Sequence, residues 1–192
     1  MIAKFQRSHL KVKIELRVNN IRQIAAWVSN HQIDIGLIDY PAPAAGVNAE
    51  LFRMECVCIM RDDDPLSTHK AVHPELLYGR SVIGITGDHS VDHQLDQLLS
   101  KANTYVTRNL SGYYFAIARN MVAASGTIAI VDPINGNIDL SDGVIWRPFH
   151  PVIYQELGMI TSTKQPLSRV AQGIHDQIRE QLSIERPVPD GK

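Results

Sequence analysis

Three short polar stretches in this 192-residue chain carry the residue types that could hold a small charged molecule: Thr86-Gly87-Asp88-His89-Ser90, Asn109-Leu110-Ser111-Gly112 and Val131-Asp132-Pro133. Ser90 and Ser111 place hydroxyls where helices begin, and the free N–H groups of a helix start favour anions. Gly87 lets a ligand approach the backbone, and His89 stands beside it. Asp132 is a carboxylate suited to an ammonium or guanidinium, and Ile38-Asp39-Tyr40 is its counterpart in the first part of the chain. One negative and two anion-favouring positions suit a zwitterion, so an amino acid or a derivative of one is the expected ligand class. The same residues also have plainer uses. Ser90, Asp88 or Ser111 can simply cap a helix, and an Asp before Pro is often only a turn residue.

Other chemistries fit less well. His89 and His93 lie four apart on one helix face with Asp88 and Asp92 beside them, a conceivable metal pair. Further ligands are not evident, and the run also suits a solvated helix start, so no metal is assigned. The remaining histidines are scattered. No G-x-S-x-G elbow accompanies Ser90 or Ser111, and neither G-x-G-x-x-G nor a Walker-type loop occurs, so the chain is read as a non-enzyme without a cofactor. The formal net charge is -1 and no Lys/Arg run exceeds two residues, unlike a nucleic-acid-binding surface. Cys56 and Cys58 sit in one apolar run and are expected to form neither a disulfide nor a metal site. With no membrane-length apolar run and no secretory signal in MIAKFQRSHLK, the expected location is cytoplasmic.

The elements that must position these residues follow from periodicity. Ile2 and Phe5 have helical spacing, and Val12, Ile14, Leu16 and Val18 then alternate with Lys11, Lys13, Glu15 and Arg17 as in a half-buried strand. Asn19 or Asn20 can cap a helix with Ile21, Ile24, Ala25 and Val28 as its stripe. Ile33 to Asp39 reads as a buried parallel strand, followed by a loop at Pro41, Pro43 and Gly46. Leu51 to Arg61 is strand-like, and Asp62 to Leu66 is a turn. Next come a short helix at Pro74–Leu77, a strand at Ser81–Ile85, a helix at Val91–Leu99, and a strand at Thr104–Thr107. In Thr107 to Pro133 a helix bearing Phe115, Ala118, Met121 and Val122 stops at Gly126 and feeds the β-branched run Thr127–Val131. After breaks at Gly136, Asn137 and Gly143, Glu156–Thr161 is a strand. Pro166 opens a terminal helix striped by Val170, Ile174, Ile178 and Leu182, and 185–192 is a loose tail.

Read whole, the pattern resembles the effector-binding domain of LysR-type transcriptional regulators. Met121-Val122-Ala123-Ala124-Ser125-Gly126 and Thr127-Ile128-Ala129-Ile130-Val131-Asp132-Pro133 match the family's second-lobe segment, a helix ending "V-A-A-G" and then "G-I-A-I-V-P" or "V-D-P". Phe5 to Leu16 and Asp34-Ile35-Gly36-Leu37-Ile38 match its opening, with Leu10 in place of the usual proline. The resemblance implies an α/β fold of two Rossmann-like lobes joined by two crossover strands, like type 2 periplasmic binding proteins. Residues 1–66 plus 150–184 would form lobe one, and 67–149 lobe two. It also implies a small-molecule effector in the cleft, DNA contact only through a helix-turn-helix outside this chain, no membrane role, and a homodimer or higher oligomer paired through Lys11–Val18 and Ile21–Val28. A solute-binding protein of a transport system is the alternative.

The family's strand before the first helix, which lies between the strands matching Val12–Val18 and Ile33–Ile38, has no counterpart in this sequence. Either those two strands pair directly, or a strand of another chain fills the slot, or the protein starts further upstream. A form extended by about ten residues, one strand's length, is expected to bind effector more tightly than the present chain.

Overall fold

The computed structural model describes residues 2–41, 45–87 and 89–184. In chain order its elements are α1 (Ile2–Ser8), α2 (Ile21–Ser29), β1 (Gly36–Asp39), β2 (Val47–Glu55), β3 (Val57–Arg61) and β4 (Val82–Ile85). They continue with α3 (Ser90–Lys101), β5 (Ser111–Gly112), α4 (Phe115–Ser125), β6 (Ile128–Val131), α5 (Pro133–Gly136), β7 (Val144–Pro148), β8 (Tyr154–Ser162) and α6 (Arg169–Ile184). Two compact units result: the first ends at Arg53 and resumes at Glu156, and the second is Met54–Gln155. The chain leaves the first unit within β2 and re-enters it within β8. Pro43, Asp88 and the tail 185–192 lie outside the described residues.

In the second unit one sheet has its strands β4 and β6 buried on both faces. Its strand order is β5-β4-β6-β3-β7, with β4 parallel to β5 and β6, and β3 antiparallel to β6 and β7. Successive strand residues point to opposite faces. Thus Cys56, Cys58, Met60, Val82, Ile128 and Ile130 join Val91, Leu95 and Leu99 of α3 in one cluster. Val57, Ile59, Ile83, Ile85, Ala129 and Val131 join Ala118 and Val122 of α4 in another. The apolar runs read from the sequence are continuous because neither face sees water. Both cysteines are free thiols, and burial pushes both well above the ordinary thiol range. Gly126 ends α4 in the left-handed conformation at φ 67°, donating its N–H to the Val122 carbonyl.

Two expected strands differ here. Leu51–Arg61 is broken at Cys56, whose N–H turns to the Ile153 carbonyl, so β2 and β3 belong to different sheets. Thr104–Thr107 makes only a single bridge, Thr107 to Ser81, although Thr107 donates to Arg80 and its carbonyl accepts from Val82.

The first unit is a three-stranded sheet of order β1-β8-β2. Asn20 caps α2 by accepting the Gln23 N–H at 2.9 Å, and the α2 stripe buries Ala25 and Val28 against Ile38 and Ile160. Gly36 is required at that contact, since a Cβ there would stand 2.8 Å from Ile24 Cγ2 and 2.9 Å from Ile160 Cγ1. Phe5 of α1 is buried, stacks on His9 at 4.1 Å, and lies over Gly173 of α6. The Ser168 hydroxyl takes the Ala171 N–H, so α6 starts after Ser168 rather than at Pro166, and Ala171 takes the buried place expected of Val170.

Residues 11–18 do not form the expected strand. They run outside every sheet, with Leu16 and Val18 72% and 71% exposed. Alternation supplies a strand with a face but not with a neighbour, and among the described residues no strand lies alongside. For the same reason β1 is limited to Gly36–Asp39 and pairs antiparallel with β8, where a parallel strand was expected. Residues 11–18 and β1 have not closed up on each other.

Gly136 gives the packing its sharpest test, because a Cβ there would overlap Val57 Cγ2. Gly136→Ala is expected to cost about 1–3 kcal/mol in urea unfolding, the scale of overpacking. An unchanged midpoint would contradict the seating of α5 against β3.

Candidate functional site

Because β5, β4 and β6 run parallel, their carboxyl ends leave the sheet along one edge; the first and third polar stretches follow such exits, and the second reaches the edge only with β5 at its end. Thr86-Gly87 follows β4, and Thr86 donates its N–H to the Gly112 carbonyl at 3.0 Å, which ties the first exit to the second. Asp132-Pro133 follows β6. Gly87, His89, Ser90, Ser111, Asp132 and Pro133 therefore belong to one edge of the second unit. Asn109 precedes β5 and so lies toward the amino end of that strand. Asp39 and Tyr40 occupy the equivalent strand end in the first unit, where Tyr40 donates its N–H to the Glu156 carbonyl.

The caps differ from those expected. His89, and not Ser90, caps α3: its Nδ1 accepts the Val91 N–H at 3.3 Å, which requires Nδ1 to carry no proton. The His89 ring also meets Phe115 edge-on at 5.0 Å, linking the starts of α3 and α4. Ser111 lies within β5 and does not cap α4. The N-cap position there is Tyr114, whose side chain makes no capping bond, so the cap itself leaves the α4 start open, although the Tyr114 carbonyl accepts the Ile117 N–H at 2.9 Å. A helix start left open in this way favours an anion.

Asp132 is 6% exposed and caps α5, its Oδ1 taking the Asn135 N–H and its Oδ2 the Asn135 side-chain amide, both at 2.8 Å. The plainer capping use is therefore present. Asp92 in the first turn of α3 accepts the Ile85 N–H at 3.0 Å. Burial raises its pKa, opposed by Arg108 and by that N–H.

Sequence reasoning missed two kinds of residue. Tyr113 covers Gly87, where a Cβ would lie 3.2 Å from the ring, and Tyr114 meets Tyr113 edge-on at 4.9 Å. Both rings are half exposed, so the edge offers aromatic surface as well as polar groups. A Tyr pair just before a helix was the available signal. Arg119 is the other, 2% exposed on α4. It donates to the carbonyls of Asn135 and Gly136 and pairs with Asp142 at 3.0 Å, holding α5 beneath Asp132. Among the described residues no group of three or more His, Cys, Asp or Glu is placed to bind a metal, and no helix is long and apolar enough to cross a membrane.

Comparison with known proteins places this geometry. The family model of the LysR substrate binding domain matches residues 1–183. The chain is 24% identical over 157 residues to the transcriptional activator protein LysR of Escherichia coli (strain K12), covering 81% of this chain and 50% of that protein. It thus spans about half the length of that relative. The regulatory domain of CcmR from Synechocystis PCC6803, solved in complex with 2-PG, superposes with a TM-score of 0.72 at 15% identity over 97% of this chain and 91% of its own. The effector binding domain of QuiR in complex with shikimate superposes with a TM-score of 0.68 at 12% identity over 97% and 90%. These likenesses show the fold, the α/β arrangement of periplasmic-binding-protein type.

Arg119→Met keeps the stem and removes the buried cation, taking a donor from the Asn135 and Gly136 carbonyls and the counter-charge from Asp142, which keeps the Val144 N–H. It is expected to cost about 2–4 kcal/mol in chemical denaturation, the scale of breaking a buried ion pair. Wild-type stability would show that α5 does not depend on the guanidinium.

Proposed function

We infer the function from a premise that the match over residues 1–183 establishes, that this chain belongs to the LysR substrate-binding domain family. We propose that it is the effector-sensing part of a transcriptional regulator acting in the cytoplasm, which reaches DNA through a helix-turn-helix elsewhere in the full-length protein. Its relatives are transcriptional regulators, and the transport reading is not favoured. The observation that carries the proposal is the convergence of three parallel-strand exits on one edge of the second unit, with an open α4 start, an acidic cap at Asp132 and the Tyr113 ring over Gly87. Ligands of open α/β sheets bind at such an edge.

The ligand class that suits these groups is an amino acid or a derivative of one. Its carboxylate would face the first-turn amides of α4, with Ser90 and Ser111 as hydroxyl donors, and its ammonium would share the Asp132 carboxylate with Asn135. Binding stabilises whichever arrangement of the protein binds better, and through that difference the effector would change how the full-length regulator sits on DNA.

A thermal-shift panel of amino acids, opine-like conjugates, aromatic acids and sugars identifies the ligand, since binding to the native state raises Tm. Asp132→Asn then isolates the charge, because Asn caps a helix nearly as well as Asp. Affinity for an amino-acid effector is expected to fall about ten- to a hundredfold with the fold intact. Unchanged affinity, or a neutral aromatic as the stabilising ligand, contradicts the assignment.

A further inference from the structure

The strand exits of the second unit carry more apolar surface than a carboxylate and an ammonium would use. Tyr113 and Tyr114 are 50% and 43% exposed, and Ile117 in the first turn of α4 and Ile134 just after Asp132-Pro133 are exposed as well. Single exposed apolar side chains are ordinary, whereas several of them gathered around a few polar groups are the make-up of a small-molecule site.

The two rings are held in place. A Cβ on Gly87 would stand 3.2 Å from Tyr113 Cε2, so the ring lies against bare backbone, and Gly87 has φ +93°, a conformation in which a side chain is strained in any case. Tyr114 meets Tyr113 edge-on at 4.9 Å, with the planes 77° apart. Ile117 is seated in the same manner on β5, since a Cβ on Gly112 would stand 3.1 Å from its Cγ2. Each glycine thus makes room for a side chain from the start of α4. The open surface of a fixed Tyr pair is flat, and a flat group suits it best: an aromatic guest makes offset or edge-to-face contacts that an aliphatic one of the same bulk lacks.

We propose that the effector carries an aromatic side group packed on Tyr113 and Tyr114, which narrows its class to an aromatic amino acid. The inference rests on the amino-acid reading of the same edge. An α-amino acid joins carboxylate, ammonium and side chain at one carbon, and the edge sets out three matching features: the α4 start, the Asp132 carboxylate and the tyrosines. Asp132 and the α4 start then select an amino acid, and the tyrosines select which one.

Calorimetric titration with L-alanine, L-phenylalanine, L-tryptophan and L-cyclohexylalanine tests this. Phenylalanine or tryptophan should bind about tenfold or more tightly than alanine, through the added apolar burial. It should bind about two- to tenfold more tightly than cyclohexylalanine, which has the bulk without the π-system. Tyr113→Leu keeps apolar volume and should cut the preference over cyclohexylalanine about twofold or more, and Tyr114→Leu serves if that variant misfolds. Equal affinity for alanine and phenylalanine overturns the proposal. So does tighter binding of cyclohexylalanine, or an aromatic preference that survives in both variants. These three outcomes leave the amino-acid reading standing. If none of the four binds, the inference falls, and the conjugates of the thermal-shift panel decide whether the amino-acid reading falls with it.

Discussion

The second unit depends on one constraint: β4, β5 and β6 run parallel, and β4 and β6 are buried on both faces. A parallel pair cannot be closed by a tight turn, so each strand must be followed by a crossover that packs back on the sheet. The chain supplies α3 after β4 and α4 after β5. Burial then fixes side-chain direction, with Ile83, Ala129 and Val131 toward α4 and Val82, Ile128 and Ile130 toward α3. Helix starts collect along a single edge as a result, and polar groups there are gathered by topology before any ligand is considered. The details refine that edge: Tyr113 over Gly87, His89 against Phe115, and Arg119 bracing α5 from below.

Where structure depends on neighbours along the chain, it was legible. Helix α4, its Gly126 stop and strand β6 follow from helical spacing, a left-handed cap and a β-branched run. Candidate residues at three strand ends could be placed because strand ends are local features. Capping was less legible: in the run from Thr86 to Ser90 the sequence offered Asp88 or Ser90, whereas the cap is His89, whose ring also meets Phe115 across the exit. Arg119 was illegible, since a charge on a helix usually points to water, and only the carbonyls of Asn135 and Gly136 and the carboxylate of Asp142 make its burial tolerable. Tyr113 carries no sequence signal of its own, because its place over Gly87 depends on the sheet that brings the two exits together.

Pairing between distant strands set the limit in the first unit. Residues 11–18 have the period of a strand and no partner strand among the described residues, so pattern and structure part there. Cys56 shows the converse, an apolar residue inside a continuous run at which the chain nonetheless changes sheets, because its N–H is claimed by Ile153. Periodicity reports which side faces a core. It does not report which strand lies alongside.

The central claim is that the exits of β4, β5 and β6 form the ligand edge. Amide chemical-shift mapping tests it most directly, by titrating the uniformly labelled chain with the small molecule that stabilises it best. The account predicts the largest shifts at Thr86, Gly87, His89 and Ser90, at Gly112 to Phe115, and at Asp132 to Asn135. Shifts confined instead to the groove lined by Glu50, Ser162, His175 and Arg179 in the first unit would contradict it.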